Sequence, residues 1–419
     1  MKKIIGLAIA AAFGLSACSN LDHKTAHEVM SISNDRILKE DHSFNITGSS
    51  QVYISPLAEA VLADEKVEEK EKTEDAKAKS EDAMAKAEDA AASMEATQEE
   101  DDPLKQEFSE REEAEFRNAM LDALPDGNIA QVAVDYLDKY PAISSYMEGV
   151  HLNYEVAVDL STRQFEMIPE LAIDNHNEKL SVKLPIKLDA AKWEVYVDPP
   201  ASVSAIVNVY TDEKIGKRLI KEPLKVSLKE IGDSKHMPFD HIAEAGVRAF
   251  LSANKAMPAD AYVFKEMDAF GKANHARYRV RHVMKPEYDS VVMKAMAKAF
   301  DEELSKLQKT PQPGSTEEDY KNAREFFSMS VNISDNQPLS FQRIFGNNLV
   351  VDYYLDRKGR MLASRMYMQI NGTHKAINII GDSVYSNYGK PVFKLNPQGK
   401  GITWKELKEF FSSNKKEDD

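Results

Sequence analysis

The chain has 419 residues and a formal net charge of −15, and 42% of its residues are hydrophobic. This is the composition of a globular protein that is too long for one compact core of ordinary domain size. An acidic chain lacks the basic surface that nucleic-acid phosphates require, so nucleic-acid binding is excluded. A single cysteine excludes both a disulfide within the chain and a cysteine-based metal site.

The first predicted element is a secretory signal. Lys2 and Lys3 precede the mostly apolar residues 4–15, a stretch too short to cross a bilayer, which needs about 20 residues. The tetrapeptide Leu15-Ser16-Ala17-Cys18 follows and contains the only cysteine of the chain. This tetrapeptide resembles the lipobox of bacterial lipoproteins. An ordinary signal peptide with a cysteine placed by chance is the alternative.

The resemblance has consequences for processing and location. It implies that residues 1–17 are a lipoprotein signal peptide, removed by cleavage, and that Cys18 receives a diacylglycerol and an acyl chain on its new amine. In lipoproteins an Asp after the cysteine retains many members in the inner membrane. Here Ser19 stands in that place, so the resemblance implies an outer-membrane anchor, with the protein on the periplasmic side or at the cell surface.

Residues 18–63 are predicted to form a lipidated N-terminal segment. Two strand-like pieces lie within it, at 44–48 and 51–54. A lone hairpin is marginally stable in water, so we expect these pieces to pair with the main sheet.

Residues 64–106 are predicted to form an acidic spacer. Between Asp64 and Asp102 there are 16 acidic residues and 6 lysines, and a seven-residue repeat places Ala, Ser, Thr and Met on one seam within residues 73–97. This pattern fits a charged helical or disordered spacer, and it also fits an alanine-lined coiled coil that joins copies into a homo-oligomer.

Residues 107–415 are predicted to be the globular region, beginning with docking helices. From residue 151 the hydrophobic period changes to two, with strands at 152–160, 165–174 and 180–188 and a fourth at 193–197. Amphipathic strands with short polar turns predict an antiparallel meander.

The second half of this region mixes helices and strands. Helices are predicted at 240–254, from Pro286 onward, and after a capping box at Ser315 and Glu318. Strands are predicted at 349–355, 362–370, 376–380 and 392–395, and a capping box at Thr403 and Glu406 begins a last helix. The fold class is therefore α+β, an antiparallel meander sheet with interspersed helices. The linker at 310–315 marks a split into two subdomains.

Sequence motifs of catalysis are largely missing. Gly381-Asp382-Ser383 is similar to a block of a lipase and esterase family, but the 36 residues after it contain no histidine. We therefore interpret this tripeptide as a turn. No phosphate loop, dinucleotide fingerprint or zinc-protease motif occurs, so no enzyme activity, no cofactor and no metal site are expected.

One basic stretch is a candidate binding site. On a strand, Arg277, Arg279 and Arg281 would share one face while Tyr278 and Val280 take the other. Three guanidinium groups in a row need anions opposite them. The arginines therefore form either a site for phosphate, carboxylate or an acidic glycan, or a cross-strand ladder with acids such as Glu266.

Two functions remain open from the sequence. The first is a non-enzymatic binding or structural lipoprotein, attached to the membrane through Cys18, that binds an envelope protein or a cell-wall component. The second is a carrier of a hydrophobic or lipid ligand in a curved-sheet cavity, an analogy at the level of the fold alone.

Overall fold

The structure is a computed structural model. It describes residues 21–56, 134–135, 139, 147, 149–175, 178–210, 213–230, 236–336, 348–397 and 400–407. The predicted lipobox with Cys18, the spacer at 64–106 and the seam at 73–97 lie outside the described residues.

The described strands form a single sheet. In chain order they are β1 (Ser43–Pro56), β2 (Val150–Asp159), β3 (Gln164–Asn175), β4 (Glu178–Lys183), β5 (Ile186–Asp189), β6 (Glu194–Val197), β7 (Leu224–Ser227), β8 (Tyr262–Lys265), β9 (Tyr278–Met284), β10 (Asn348–Leu355), β11 (Met361–Asn371), β12 (Lys375–Ser386) and β13 (Ile402–Thr403).

The spatial order of the sheet is β13-β7-β6-β5-β3-β2-β1-β12-β11-β10-β9-β8, and β4 pairs with β3 beside β5. Neighbouring strands are antiparallel except for the parallel pair β7 and β13. The sheet with its helices confirms the predicted α+β class. Strands β9 and β10 are paired although they lie on opposite sides of the predicted linker at 310–315.

Strand β1 lies at the centre of the sheet. Its 14 residues unite the two strand-like pieces of the N-terminal segment. It pairs along one edge with β12 and along the other with β2. The N-terminal segment therefore belongs to the main sheet, as the instability of a lone hairpin predicted.

Helices lie beside the sheet. They are α1 (Ala26–Lys39), α2 (Ala201–Tyr210), α3 (Glu213–Leu219), α4 (Phe239–Ala256), α5 (Ala269–Ala273), α6 (Pro286–Leu307) and α7 (Glu317–Asn336).

Capping side chains and a proline mark the N-termini of several helices. Helix α1 begins after Thr25, whose hydroxyl accepts the Glu28 backbone N–H while the Glu28 carboxylate accepts the Thr25 backbone N–H. Pro286 opens α6, as predicted. The box predicted for α7 is wrong by one position, because Thr316 and Asp319 form the reciprocal bonds.

Apolar burial is concentrated on the side of the sheet that meets α1. Val29 and Met30 of α1 pack with Val280 of β9 and Leu355 of β10 in one buried cluster. A second cluster joins α4, α6 and α7 around Leu304 and Tyr320. The opposite side of β9 and β10 therefore carries the polar side chains.

Three predicted elements differ in the structure. Residues 180–188 form two strands, because Pro185 has no backbone N–H to continue the pairing with β3 after Leu184. The tripeptide Gly381-Asp382-Ser383 is not a turn but the middle of β12, paired with β1 and β11. Residues 392–395 are not a strand of the sheet.

Candidate functional site

The basic stretch lies where β9 and α5 meet. Arg279 and Arg281 point to one face of β9, and both guanidinium groups bind the carboxylate of Asp352 on β10. The Arg279 Nη2 to Oδ2 distance is 2.6 Å, and the Arg281 Nε to Oδ1 distance is 2.7 Å. Arg277 precedes the strand and is 54% exposed, 3.6 Å from Asp22.

This arrangement is buried. Asp352 is fully buried, and the two strand arginines are nearly so. Asp268, just before α5, lies 3.2 Å from Arg279 and accepts a hydrogen bond from the hydroxyl of Tyr354. The arginines thus occupy a cross-strand ladder with Asp352 as the main acid, in place of Glu266, whose backbone carbonyl accepts a bond from Arg279.

The ladder continues across the sheet. The Arg365 guanidinium on β11 binds both carboxylate oxygens of Asp382 on β12, at 2.6 and 2.8 Å. It also lies over the ring of Phe270 in α5, with 4.4 Å to the ring centre. Helix α5 therefore covers this part of the sheet face and keeps water from the charges.

The pairing of the strands continues this line of cross-strand neighbours to the far side of the sheet. We call it the polar row, and its members are direct cross-strand neighbours: Arg281, Asp352, Arg365, Asp382, Ser49, Asn153, Glu170 and Lys183.

A second row runs beside it on the same face. Its cross-strand neighbours are Val384, Thr47, Glu155 and Ile168.

Beyond Asp382 the two rows form the floor of an open groove. The groove encloses about 310 Å³ and is lined by residues of both rows. It crosses five strands, β12 to β4, so it spans about 19 Å at roughly 4.8 Å per strand spacing.

A segment that we call the strap, residues 391–395, lies beside the groove on the same sheet face. Asn45 on β1 binds both backbone groups of Val392, and the Glu166 carboxylate on β3 accepts the backbone N–H groups of Lys394 and Leu395. Lys187 adds a bond of 3.3 Å to the Leu395 carbonyl. The strap therefore lies across the sheet face, held by side chains, where the sequence predicted a strand.

The charged groups of the groove are paired. The Lys394 ammonium lies 2.6 Å from a Glu155 oxygen, and the Lys183 ammonium lies 3.4 Å from Glu170. A hydrogen bond from the Ser181 hydroxyl, helped by the charge of Lys183, lowers the pKa of Glu170. Glu170 is therefore a carboxylate at neutral pH.

A close approach between two strands of the groove fixes their positions. Gly48 on β1 and Tyr154 on β2 both line the groove, and the ring of Tyr154 occupies the space that a Cβ atom of Gly48 would need. The hydroxyls of Tyr154 and Ser383 are 2.5 Å apart. Glycine at this position lets one tyrosine cross β1 and join β2 to β12.

The described part of the chain contains no group of three or more His, Cys, Asp or Glu side chains placed to hold a metal ion. No helix within the described ranges combines the length and the apolar character needed to cross a membrane.

Comparison of the chain with protein-family models, with curated proteins and with solved structures finds no match. The functional argument therefore depends on the geometry of the groove and on the pattern of the N-terminal sequence.

Proposed function

We propose that this protein is a lipid-anchored component of the bacterial cell envelope that acts by binding, and that the groove is its binding surface. The proposal that the groove binds a ligand is supported by its shape. It is an open concave site on a sheet face whose other half is covered by α5. Concave sites with convergent polar groups are where proteins most often bind ligands.

The electrostatics of the groove favour binding over catalysis. A general acid or base works best when its pKa lies near the operating pH. The pKa of Glu170 is lowered further from neutrality, so this carboxylate is suited to accept hydrogen bonds from a ligand rather than to transfer its protons. Glu155 and Asp382 each lie against a cation.

The anchoring part depends on the lipobox pattern at Cys18. A single acyl chain binds membranes weakly, whereas the three chains expected here anchor a protein stably. We expect Cys18→Ala to keep its signal peptide and to lose labelling by radioactive palmitate. Wild type should fractionate with the outer membrane, and Ser19→Asp should shift it to the inner membrane. Mature wild-type protein in the soluble periplasm would contradict the anchor.

The binding part can be tested in intact cells. A photoreactive amino acid in place of Ser49, on the groove floor, should form a covalent adduct with an envelope component after irradiation. The same amino acid in place of Lys358, an exposed residue in the turn between β10 and β11, is the matched control. If position 49 forms no more adduct than position 358, the groove is not a binding surface.

One observation favours the carrier function as a second candidate. Leu152, Leu171, Leu180 and Val182 are exposed on the face of β2, β3 and β4 opposite the groove, with Leu180 56% exposed. Exposed apolar patches often contact lipid or protein. A carrier should retain lipid through purification, so native mass spectrometry of the full-length protein would detect a bound lipid in addition to the covalent one.

A further inference from the structure

The hydrogen-bonding groups in the middle of the groove floor differ from those at its two ends. At the ends, Asp382 and Glu170 are engaged by Arg365 and by Lys183. Between them, the hydroxyls of Thr47 and Ser49 are exposed, and neither has a hydrogen-bond partner among the described residues. The free capacity of the floor is therefore that of neutral hydroxyl groups, which both donate and accept.

An apolar side chain lies next to these hydroxyls. Val384 on β12 is the cross-strand neighbour of Thr47 and is 37% exposed. The groove thus offers a ligand neutral hydroxyls, ionised side chains and an aliphatic surface, all within one site.

This combination disfavours charged and apolar ligands. An anion would approach three carboxylates whose cations are already engaged, and a cation would have to compete with Lys183, Lys394 and Arg365 for the same oxygens. An apolar ligand would remove the hydroxyls and carboxylates from water without giving them hydrogen bonds, which is costly.

The geometry also disfavours an extended peptide. Peptides that bind sheets add a strand at an exposed edge, where backbone groups are unpaired. The groove lies on the face of β12, β1, β2, β3 and β4, and the first four of these strands are paired on both sides. Along them the backbone groups are already used in the sheet, and among the described strands of the groove only β4, at one end, has a single neighbour.

We infer that the groove binds a neutral glycan, a ligand whose hydroxyls donate and accept and whose ring C–H faces are apolar. This inference rests on the proposed function, that the groove is a binding surface. The hydroxyls of Thr47 and Ser49 bind the sugar hydroxyls, the paired carboxylates accept hydrogen bonds at the ends, and Val384 packs on a ring face. The Asn153 amide lies beside Ser49 on the floor.

The test measures binding of tetra-N-acetylchitotetraose and maltotetraose to the full-length protein in detergent by calorimetry. Both are neutral; the first is β-linked and carries the N-acetyl group that distinguishes cell-wall glycan from other envelope polysaccharides, and the second is α-linked glucose. At least one should bind, and its affinity should change less than about twofold between about 0.1 and 1 M salt, because screening weakens ionic contacts most.

The matched variants separate the groove from the rest of the sheet. Thr47→Val combined with Ser49→Ala removes the two free hydroxyls with little change in shape and should weaken binding at least fivefold. Ser386→Ala removes an exposed hydroxyl from the same face of β12, outside the groove, and should leave binding unchanged.

Two outcomes would overturn the inference. One is that neither tetrasaccharide binds; the other is binding that is unaffected by the double variant. If position 49 still forms a photo-adduct in cells and mass spectrometry of the digested adduct finds peptides of a second protein, the groove binds a protein. The glycan inference would then be wrong while the proposed function would stand.

Discussion

The polar row crosses two regions of one sheet face, and these regions differ in whether anything lies over them. From Arg281 to Arg365 the charges lie beneath α5, and Asp352 is fully buried. From Ser49 to Lys183 the row is the floor of an open groove. The same strand pairing thus places polar side chains in two environments. Where a helix excludes water the charges hold strands together, and where the face is open we propose that the polar side chains bind a ligand.

The comparison predicts a gradient of energetic cost along the row. A buried ion pair that loses one partner leaves an uncompensated charge, whereas an exposed pair contributes little. Equivalent substitutions at successive positions should therefore cost less as the row leaves α5.

The largest effect is expected at Asp352. Asp352→Asn leaves two buried guanidinium groups without their shared carboxylate, so we expect a loss of about 3–5 kcal/mol in the free energy of unfolding. Denaturant unfolding of the full-length protein measures this loss. Asp174→Asn is the control, because Asp174 is 53% exposed and pairs with Lys179 at the surface. Equal losses in the two variants would show that burial does not distinguish the regions.

The next effect is a pH dependence of stability that comes from the apolar side of β9, opposite the covered region. His282 lies on the other face of β9, stacked near the rings of Tyr262 and Tyr353, and its Nε2 has no hydrogen-bond partner among the described residues. Burial lowers the pKa of His282 to about 4, while burial raises the pKa of both tyrosines, which stay neutral.

The direction in which stability changes with pH follows from the number of protons that the folded and unfolded states bind. Below the ordinary pKa of 6.5, the unfolded chain protonates His282 and the folded chain does not, so stability falls as pH decreases. The loss begins near pH 6.5 and levels off below pH 4, with a maximum of about 3 kcal/mol. In His282→Phe this component should vanish. Parallel stability curves of variant and wild type between pH 4 and 7 would contradict the assignment.

A smaller effect is expected at Asp382, which lies at the boundary of the two regions. Its partner Arg365 is 8% exposed, whereas Asp382 itself is 33% exposed. Asp382→Asn weakens two charge-assisted hydrogen bonds but leaves a neutral acceptor, so we expect a loss of about 1.5–3 kcal/mol. The measured value should fall between those of Asp352→Asn and of the exposed control. A value outside that interval would break the gradient.

Periodicity in the sequence predicted much of the sheet and less of its surroundings. The alternation in β2, β3 and β11 was readable because one face of each strand is apolar. Helix α1 was missed, although the box formed by Thr25 and Glu28 was present as a local signal. Gly381-Asp382-Ser383 was assigned to a turn because these residues favour turns, but pairing with strands on both sides outweighs that preference.

The sequence predicts the buried arginine ladder better than it predicts the groove. Alternation placed Arg279 and Arg281 on one face, yet their acid Asp352 lies 71 residues beyond Arg281, a distance that no local pattern spans. The groove combines residues from distant parts of the chain: 47–49, 153–155, Ile168, Glu170, Lys183, Asp382 and Val384. Which polar face stays open depends on α5 and the strap, whose positions are set by tertiary contacts.

The smallest effect on stability is expected in the groove itself, at Glu155. Glu155 is 40% exposed and its partner Lys394 is 57% exposed, so water solvates both charges when the pair is broken. Glu155→Gln should therefore change the free energy of unfolding by no more than about 1 kcal/mol. The strap should stay in place, because Asn45 and Glu166 hold its backbone independently of Lys394's side chain. Hydrogen exchange at the Lys394 and Leu395 amides measures this directly, with Glu166→Gln as the matched variant. Faster exchange in Glu166→Gln alone is the expected result, since Glu166 accepts both N–H groups. Faster exchange in Glu155→Gln as well would mean that the ion pair holds the strap in place. The charges of the open region would then stabilise the structure, as those of the covered region do.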